Sequence, residues 1–306
     1  MVVMEGMGRA LMLEPYVGSG VIAPVLLPHL AGAHRAELLA EIMAGGALLT
    51  LADAEPQGRF DLAAVATRAE RRDGGYVLTG EKSHALDGAE ADWFVVPART
   101  SGAPGETAGI SLFLVPRSAP GLTVRGLRAM DHRRNAALSL LDVTVDDDAL
   151  IGPADQGFPL LRNAVDLAIV ARLAEALGAM EAAYEQTLAY LKTRKQFGQT
   201  LGSFQALQHR AVDMAVACEE ARSMTYLATL SLDAEPAERA RTIAAAKTRV
   251  GQTSLYVARQ AVQLHGGIGF SDELAIGHYL KRLTMIDMAF GAAAHHRALY
   301  AASLAA

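Results

Sequence analysis

Two short segments of this sequence carry residue types that suit the binding of phosphate groups. Residues 194–205 read Arg-Lys-Gln-Phe-Gly-Gln-Thr-Leu-Gly-Ser-Phe-Gln, and residues 263–270 read Gln-Leu-His-Gly-Gly-Ile-Gly-Phe. An arginine guanidinium can donate two parallel hydrogen bonds to phosphate oxygens, and adjacent glycines let the backbone approach a ligand closely. Both segments fall at the boundaries of helical patterns, where backbone N–H groups point at anions. Together they predict a site that holds the phosphates of a dinucleotide.

The helical elements that would position these segments follow from the periodicity after about residue 155. The predicted helices are Gly157–Thr193, Ser203–Leu232, Glu235–Leu264 and a shorter one, Leu274–Ala305. Ser203 is the expected N-cap of the second helix, and Gly266-Gly267 is the expected break after the third. A set of four such helices predicts an up-down bundle.

The region between residues 49 and 152 has a different pattern, in which short apolar or alternating runs are separated by turn residues. The predicted runs are Ala63–Arg71, Gly75–Thr79, Trp93–Ala98, Ile110–Pro116, Leu122–Leu127 and Leu138–Val145. Asp73-Gly74-Gly75 predicts a hairpin. Runs at this spacing indicate a small β-barrel or sandwich.

The first 48 residues are rich in alanine, leucine and glycine and predict short helices. The clearest is Ala33–Ala44, which Gly45-Gly46 should end as a C-cap. Its expected apolar face consists of Leu38, Leu39, Ile42 and Met43.

Composition limits the classes of function. The 306 residues are 51% hydrophobic and 20% charged, as in a globular protein, and the net charge of −5 gives no sign of nucleic-acid binding. The single cysteine, Cys218, excludes a disulfide within the chain, is expected to be a small buried residue, and favours a cytoplasmic setting. No apolar run is long enough for a membrane span, and we expect no signal peptide.

The two opening segments, with other motifs, resemble the acyl-CoA dehydrogenase family. The matching motifs are Tyr190–Gly198, Phe204-Gln205, Gln263–Phe270, Asp142–Val145 with Leu150–Gly152, Glu55-Pro56 and Gly80–Lys82. Short length and the Tyr190–Gln205 segment also resemble subunits of heteromeric bacterial acyl-CoA dehydrogenases, some of which degrade steroid side chains.

The resemblance implies an α+β fold in three parts. These are a truncated N-terminal helical segment (1–48), a middle β-barrel or sandwich domain (49–152) and a C-terminal four-helix bundle (153–306). It also implies FAD as the cofactor and an acyl-CoA thioester as the substrate. In this family a glutamate removes the α-proton, the flavin accepts the β-hydride, and the flavin lies between subunits.

The residues that a subunit lends to its neighbour's flavin are present in this sequence. The resemblance assigns Arg194 to the pyrophosphate and Phe197 to the adenine-ribose end. Gln205 and Gln263 would hydrogen-bond polar edges of the cofactor, and Gly266 and Gly267 would let the backbone approach the phosphates.

The residues that would hold the flavin ring are altered. The family's Thr-Glu-Pro-x-Ala-Gly-Ser-Asp is Ala54–Asp61 here, with Ala54 for the threonine and Phe60 for the serine. His84-Ala85-Leu86 stands where the family has Trp-Ile-Thr. We interpret His84 as an ordinary surface or packing residue.

The family's catalytic glutamate is absent as well, so the sequence assigns no catalytic residue. Phe290 replaces it at the usual position and Ala168 at the alternative one. Glu175 is a weak candidate for a displaced base and a better candidate for a buried or interface polar residue. Asp287 is weaker still. His295, His296 and Arg297 indicate a solvated helix end and not a metal site.

Three functions remain open at this point. The first is a subunit that lends the nucleotide half of the flavin site to a homologous catalytic partner in a heterotetramer. The second is a self-sufficient homo-oligomer with a displaced base. The third is a non-catalytic scaffold or binding protein on this fold.

Overall fold

The computed structural model describes residues 1–32 and 35–305. By contacts the chain divides into two units, one formed by Glu14–Ala168 and the other by Met1–Leu13 together with the chain from Ile169 onward. The architecture confirms the predicted α+β class, with N-terminal helices, a sheet and C-terminal helices. The three-part division at residues 48 and 152 stays a prediction.

The unit from Glu14 to Ala168 is built on one eight-stranded sheet. Its strands are β1 (Leu49–Leu51), β2 (Arg68–Arg72), β3 (Gly75–Ala85), β4 (Trp93–Arg99), β5 (Ile110–Pro116), β6 (Leu122–Arg128), β7 (Arg134–Asp146) and β8 (Leu150–Ile151). The order is β6-β7-β3-β2-β4-β5-β8, and β1 pairs with β4 off this path. The predicted barrel or sandwich is thus one mixed sheet, because β1 and β2 pair in parallel with β4 and the other pairs are antiparallel.

The core of this unit consists of aliphatic and aromatic residues from alternating strand positions. Leu78, Phe94, Phe113 and Val143 are fully buried, and the rings of Tyr76 and Phe113 lie 4.9 Å apart. The predicted Asp73-Gly74 turn joins β2 to β3, where Gly74 has the positive φ of +80° that such a turn requires.

The predicted strand Ala63–Arg71 is shorter in the structure and begins only at Arg68. The reason lies in Arg99, whose buried guanidinium donates to the carbonyls of Ala63 and Val65, each at 3.0 Å. A side chain therefore satisfies carbonyl oxygens of the segment before Arg68.

Short helical segments precede the sheet within this unit. A π-helical turn at Val17–Ile22 continues into α2 (Ala23–Leu26), and α3 spans Arg35–Met43. Gly45 ends α3 with φ +77°, as predicted. On α3, Leu38 and Ile42 are buried, whereas Met43 is 78% exposed, so the expected apolar face is wrong at Met43. Ala33 and His34, at the start of the predicted helix, lie outside the described residues.

The second unit contains the long helices. Their bounds are α1 (Val2–Arg9), α4 (Phe158–Thr193, which starts in the first unit), α5 (Gln205–Leu230), α6 (Pro236–His265), α7 (Ala275–Met288) and α8 (Ala293–Ser303). Helix α6 packs against α5, α7 and α8. The predicted helix Leu274–Ala305 is wrong in one respect, because it is broken at Ala289–Ala292 into α7 and α8.

Helix α1 lies against α4 at two glycines. A Cβ at Gly8 would lie 1.9 Å from the Glu175 carbonyl oxygen, and a Cβ at Gly178 would lie 2.0 Å from that of Glu5. The backbones of the two helices are therefore in direct contact, and neither glycine has room for a side chain.

Candidate functional site

The chain after α4 forms a small hairpin that carries Arg194 and Phe197. Strands β9 (Lys195–Gln196) and β10 (Gln199–Thr200) pair antiparallel, and the Leu201 N–H donates to the Arg194 carbonyl at 2.8 Å. The turn residues Phe197 and Gly198 have φ of +54° and +80°, as in a type I′ turn. This turn leaves Phe197 90% exposed, and Arg194 is exposed as well.

Helix α5 begins directly after this hairpin, with Gln205 as its first residue. The predicted N-cap Ser203 is wrong, because Phe204 occupies the N-cap and the Ser203 hydroxyl donates to the Thr200 carbonyl at 2.7 Å. The Phe204 ring meets Phe197 edge to face at 6.2 Å. Gln205 is exposed at a helix N-terminus, where backbone N–H groups favour anions.

The second predicted segment lies at the end of α6. Gly266 ends the helix with φ +67° and ψ −145°, a conformation open to glycine alone, and Gly266–Phe270 continues as a 3₁₀ helix. A Cβ at Gly266 or Gly267 would have no heavy atom within 4 Å. The predicted break is confirmed, and both glycines and Gln263 face open space.

Two aromatic rings bring these two segments together. Tyr190, in the last turn of α4, stacks on His265, the last residue of α6, with ring centroids 4.4 Å apart and planes at 28°. The His265 Nδ1 atom lies 2.8 Å from the Ala261 carbonyl, and burial lowers the pKa of His265, partly opposed by this hydrogen bond. Tyr190 and His265 both lie in motifs identified from the sequence, but nothing in the sequence pairs them.

The electrostatic character of the hairpin is cationic. Lys192, Arg194 and Lys195 are all exposed, and within residues 1–32 and 35–305 no carboxylate pairs with Arg194. A guanidinium, an exposed glycine pair and two exposed glutamines are donor types that suit the phosphates and polar edges of a dinucleotide.

In the sheet unit, the segment that begins at Ala54 is held in place by a buried ion pair. Glu55 accepts from Lys82 Nζ at 2.6 Å, from the Thr67 hydroxyl at 2.7 Å and from the Ala66 N–H at 2.8 Å. Burial acts to raise the pKa of Glu55, but Lys82 and these hydrogen bonds outweigh it and lower the pKa. Burial lowers the pKa of Lys82, opposed by Glu55.

The side chains that this segment presents differ from what a flavin ring would need. Ala54 forms an isolated antiparallel β-bridge with His84, and the Ala54 carbonyl accepts a hydrogen bond from the Ser83 N–H at 2.8 Å. Arg59 adopts φ +50° at the position where the family has glycine, and Phe60 is 37% exposed. The segment therefore has no hydroxyl at positions 54 and 60, so it does not fit the ring as the family's donor set does.

His84 behaves as a packing residue. It is half-buried, and burial lowers the pKa of its ring, partly opposed by Asp87.

Asp53, which precedes Ala54 in the sequence, is a half-buried residue that the sequence predictions did not include. Burial raises the pKa of its carboxyl to about 6, although backbone hydrogen bonds and the charge of Lys82 act to lower it. No spacing or motif singled it out.

The turn between α7 and α8 contains Phe290 and has no titratable side chain at the family's base position. Phe290 has φ +56°, and His296 Nε2 donates to its carbonyl at 2.9 Å. His296 is buried and only Arg297 is exposed, so the predicted solvated cluster is wrong for His296. No group of residues that could hold a metal ion occurs in the described ranges.

Two further side chains fix this turn. Asp287 accepts the Ala293 N–H at 3.1 Å, at the first residue of α8. Lys247, fully buried, donates to the carbonyls of Ile286 at 2.6 Å and Asp287 at 3.0 Å, at the end of α7. Asp287 is thus a capping residue, and Lys247 is a structural residue that the sequence analysis missed.

Glu175 lies in a buried ion-pair cluster. It is 1% exposed, and its two carboxylate oxygens accept from Arg172 Nη1 and Arg282 Nε, both at 2.6 Å. This is the buried polar role that the sequence favours over that of a displaced base.

Cys218 is also buried, as expected, and burial raises the pKa of its thiol to about 12.

Two family models match the chain. The acyl-CoA dehydrogenase middle domain matches residues 50–143, and the acyl-CoA dehydrogenase C-terminal domain matches residues 155–305. No described helix is both long and apolar enough to cross a bilayer.

Individual relatives agree with the family models. YngJ of Bacillus subtilis, named as an acyl-CoA dehydrogenase, is 30% identical over 87% of this chain and 70% of its own length. The mitochondrial 2-methylacyl-CoA dehydrogenase of Solanum tuberosum is 30% identical over 84% of this chain and 63% of its own length. The chain thus spans slightly less than two thirds of the first curated relatives.

A solved structure from Mycobacterium smegmatis, provisionally assigned as an acyl-CoA dehydrogenase, superposes with a TM-score of 0.91 at 28% identity. The match covers 99% of this chain and 81% of that one. On these grounds the chain belongs to the acyl-CoA dehydrogenase family, whose cofactor is FAD, as the sequence predicted.

Proposed function

We propose that this chain is a subunit of an FAD-dependent acyl-CoA dehydrogenase that completes the flavin site of a homologous partner subunit. The chain would supply Arg194, Phe197, Gln205, Gln263, Gly266 and Gly267 to the adenine and pyrophosphate end of FAD. The partner would supply the pocket for the isoalloxazine ring and the catalytic glutamate. The observation that carries the proposal is the contrast between an exposed phosphate-binding set and an altered ring-binding set.

The exposure of the first set supports a role toward another molecule. Arg194, Gln263 and the Gly266-Gly267 pair are all exposed, and a Cβ at either glycine would meet open space. The Tyr190–His265 stack joins the two segments. A guanidinium beside helix-terminal N–H groups suits a pyrophosphate, which carries negative charge on several oxygens.

The second set supports dependence on a partner for chemistry. Ala54 and Phe60 replace side chains that donate hydrogen bonds, and Phe290 cannot accept a proton. Glu175 is enclosed by Arg172 and Arg282. The proposed reaction is α,β-dehydrogenation of an acyl-CoA thioester, for which bound FAD supplies the hydride acceptor and a carboxylate must supply the base.

Co-expression tests this proposal directly. The chain purified alone should bind FAD weakly and should not oxidise acyl-CoA, whereas co-expression with a homologue from a neighbouring gene should give a yellow, active complex. An active flavin-loaded homomer of this chain would refute the proposal and support the self-sufficient alternative.

A matched pair of variants refines the test. Arg194→Gln should lower the FAD content of the complex about tenfold or more, since a charge-assisted phosphate contact is lost. Lys195→Gln removes the adjacent exposed charge and should leave the FAD content unchanged. Equal losses in both variants would indicate general electrostatics and not a specific phosphate contact.

Calorimetry separates the scaffold alternative from both enzymes. Titration of FAD and of CoA into the chain, alone and with the candidate partner, should give heat from at least one ligand if the proposal is right. Absence of binding in all four titrations would favour a non-catalytic scaffold.

A further inference from the structure

A cleft on the sheet unit contains a concentration of basic side chains away from the segments discussed so far. It has a volume of about 450 Å³ and lies at the end of the β6–β7 hairpin. The residues that line it are Ala89, Gly126, Leu127, Arg128, His132 and Arg134. Three of these six side chains are basic, and none is acidic.

The two arginines lie directly opposite each other. Arg128 of β6 pairs in register with Arg134 of β7, an arrangement of like charges that costs stability unless an anion compensates it. For Arg134 this anion is Glu90, whose carboxylate lies 2.5 Å from the guanidinium. Across the described ranges, no carboxylate forms an ion pair with Arg128, whose guanidinium contacts the His132 ring instead.

His132 adds a neutral donor beside Arg128. Arg128 Nη2 lies 2.9 Å from His132 Nδ1. A guanidinium can only donate, so Nδ1 accepts and the ring proton of the neutral imidazole is on Nε2. The contact also orients the guanidinium of Arg128.

A rigid base supports the cleft. Arg133, between His132 and Arg134, is 3% exposed and donates to both carboxylate oxygens of Asp87 at 3.0 Å. Asn135 in turn accepts the Asp87 N–H at 2.9 Å. This buried pair holds the backbone at the end of the hairpin, from which Arg128, His132 and Arg134 extend.

We propose that this cleft binds a phosphate dianion, either as a monoester or as the free ion, with Arg128 as its principal donor and Arg134 and His132 as further donors. A guanidinium fork matches the oxygens of a phosphate, and the dianion would offset the charge of Arg128, with which no carboxylate pairs. The phosphate can come from the 3′-phosphate of CoA, a source that depends on the proposed function, or from free orthophosphate.

Arg125 provides a matched control. It is exposed on β6 as well, but it is three residues from Arg128, so its side chain points to the opposite face of the strand. Arg125→Gln and Arg128→Gln therefore change the net charge equally, and only the second removes a group from the cleft.

The experiment is calorimetric titration of the full chain with CoA, with dephospho-CoA, which lacks the 3′-phosphate, and with orthophosphate. If CoA is the source, Arg128→Gln should weaken CoA binding about tenfold or more and leave dephospho-CoA unaffected, and Arg125→Gln should change neither. If orthophosphate is the source, it should bind the wild type and Arg125→Gln, and it should fail to bind Arg128→Gln.

Two results would overturn the proposal. One is that neither CoA nor orthophosphate distinguishes Arg128→Gln from the wild type, and the other is that Arg125→Gln loses as much affinity as Arg128→Gln. Arg128→Lys keeps the charge without the fork and serves if Arg128→Gln does not fold; it should show a partial loss. The titrations need neither partner nor FAD, so failure of the proposed subunit role would leave this result intact.

Discussion

Glu175 illustrates, at the scale of one residue, why a carboxylate near a family's catalytic position need not be a base. Both of its oxygens accept from buried guanidinium groups, and Arg172 and Arg282 are only 2% and 4% exposed. Such a carboxylate is needed to balance two buried positive charges, because unpaired charges in a protein interior are costly.

The first prediction follows from this pairing. Glu175→Gln should lower the free energy of unfolding by about 3–5 kcal/mol, since it removes the carboxylate that pairs with two buried arginines. Urea titration measures this loss. As a control, Glu219→Gln removes a carboxylate that is 70% exposed beside Arg222, and should change stability by less than about 1 kcal/mol. A Glu175→Gln variant that is as stable as the wild type but abolishes the activity of the complex with the partner would instead indicate a catalytic role.

The second prediction concerns Lys247, whose pKa burial lowers from 10.5 to about 8, opposed by Asp287 and reinforced by Arg172. Between these two values the unfolded chain binds more protons than the folded chain, so the contribution of Lys247 to stability rises with pH over this window. This stabilising contribution is fully present above pH 10.5 and is lost as the pH falls through 8.

Comparison with Lys247→Met isolates this effect. The unfolding free energy of the wild type minus that of the variant should increase by about 3 kcal/mol from pH 8 to 10.5. The hydrogen bonds to Ile286 and Asp287 are lost at every pH and do not affect this slope. A difference that stays constant with pH would contradict the lowered pKa.

At the scale of elements, the contact between α1 and α4 depends on glycine. Gly8→Ala would place a methyl group 1.9 Å from the Glu175 carbonyl, and the resulting separation of the helices should cost about 1–3 kcal/mol. Gly6→Ala, on the same helix, meets nothing within 4 Å and should stabilise by about 0.5–1 kcal/mol. Thermal unfolding compares the two, and shifts of equal sign would contradict the packing described.

Most elements could be predicted from the sequence, and the exceptions have identifiable physical causes. Strand Ile110–Pro116 and the end of α4 at Thr193 have the predicted bounds, because apolar runs and turn residues mark them. Strand β1 was missed since its three residues are too few to show a period. The break between α7 and α8 was missed because its stabilising groups, Lys247 and Asp287, act through distant contacts.

For the candidate site, the sequence predicted residue types and helix boundaries but not geometry. It placed Gly266-Gly267 at a break, which the structure confirms. It could not pair Tyr190 with His265 or reveal the burial of His296, because both depend on which helices meet. The role of the six predicted cofactor residues stays a proposal.

At the scale of the whole molecule, large apolar side chains are exposed beside the proposed phosphate-binding groups. Phe197 is 90% exposed, Phe270 is 81% exposed and Ile268 is 47% exposed. Exposed aromatic groups next to polar ones are typical of surfaces that become covered on association.

The fourth prediction uses this exposure. In the complex with its partner, amide hydrogen exchange of residues 195–200 and 266–270 should slow relative to the chain alone, because association removes these segments from water. The polar loop 101–107 of the sheet unit serves as the internal control and should exchange equally in both samples. Unchanged exchange in the first two segments would place the partner elsewhere.

The buried pair of Glu55 and Lys82 has a consequence for the engineering of this chain. Because these residues hold the backbone that leads into Ala54, we expect side-chain substitutions at Ala54 and Phe60 to leave the path of this segment unchanged. Together with Arg59→Gly and Leu86→Thr, the substitutions Ala54→Thr, Phe60→Ser, His84→Trp and Phe290→Glu would introduce side chains that the family has at these positions. Such a graft would test whether this chain can bind FAD and oxidise an acyl-CoA without a partner.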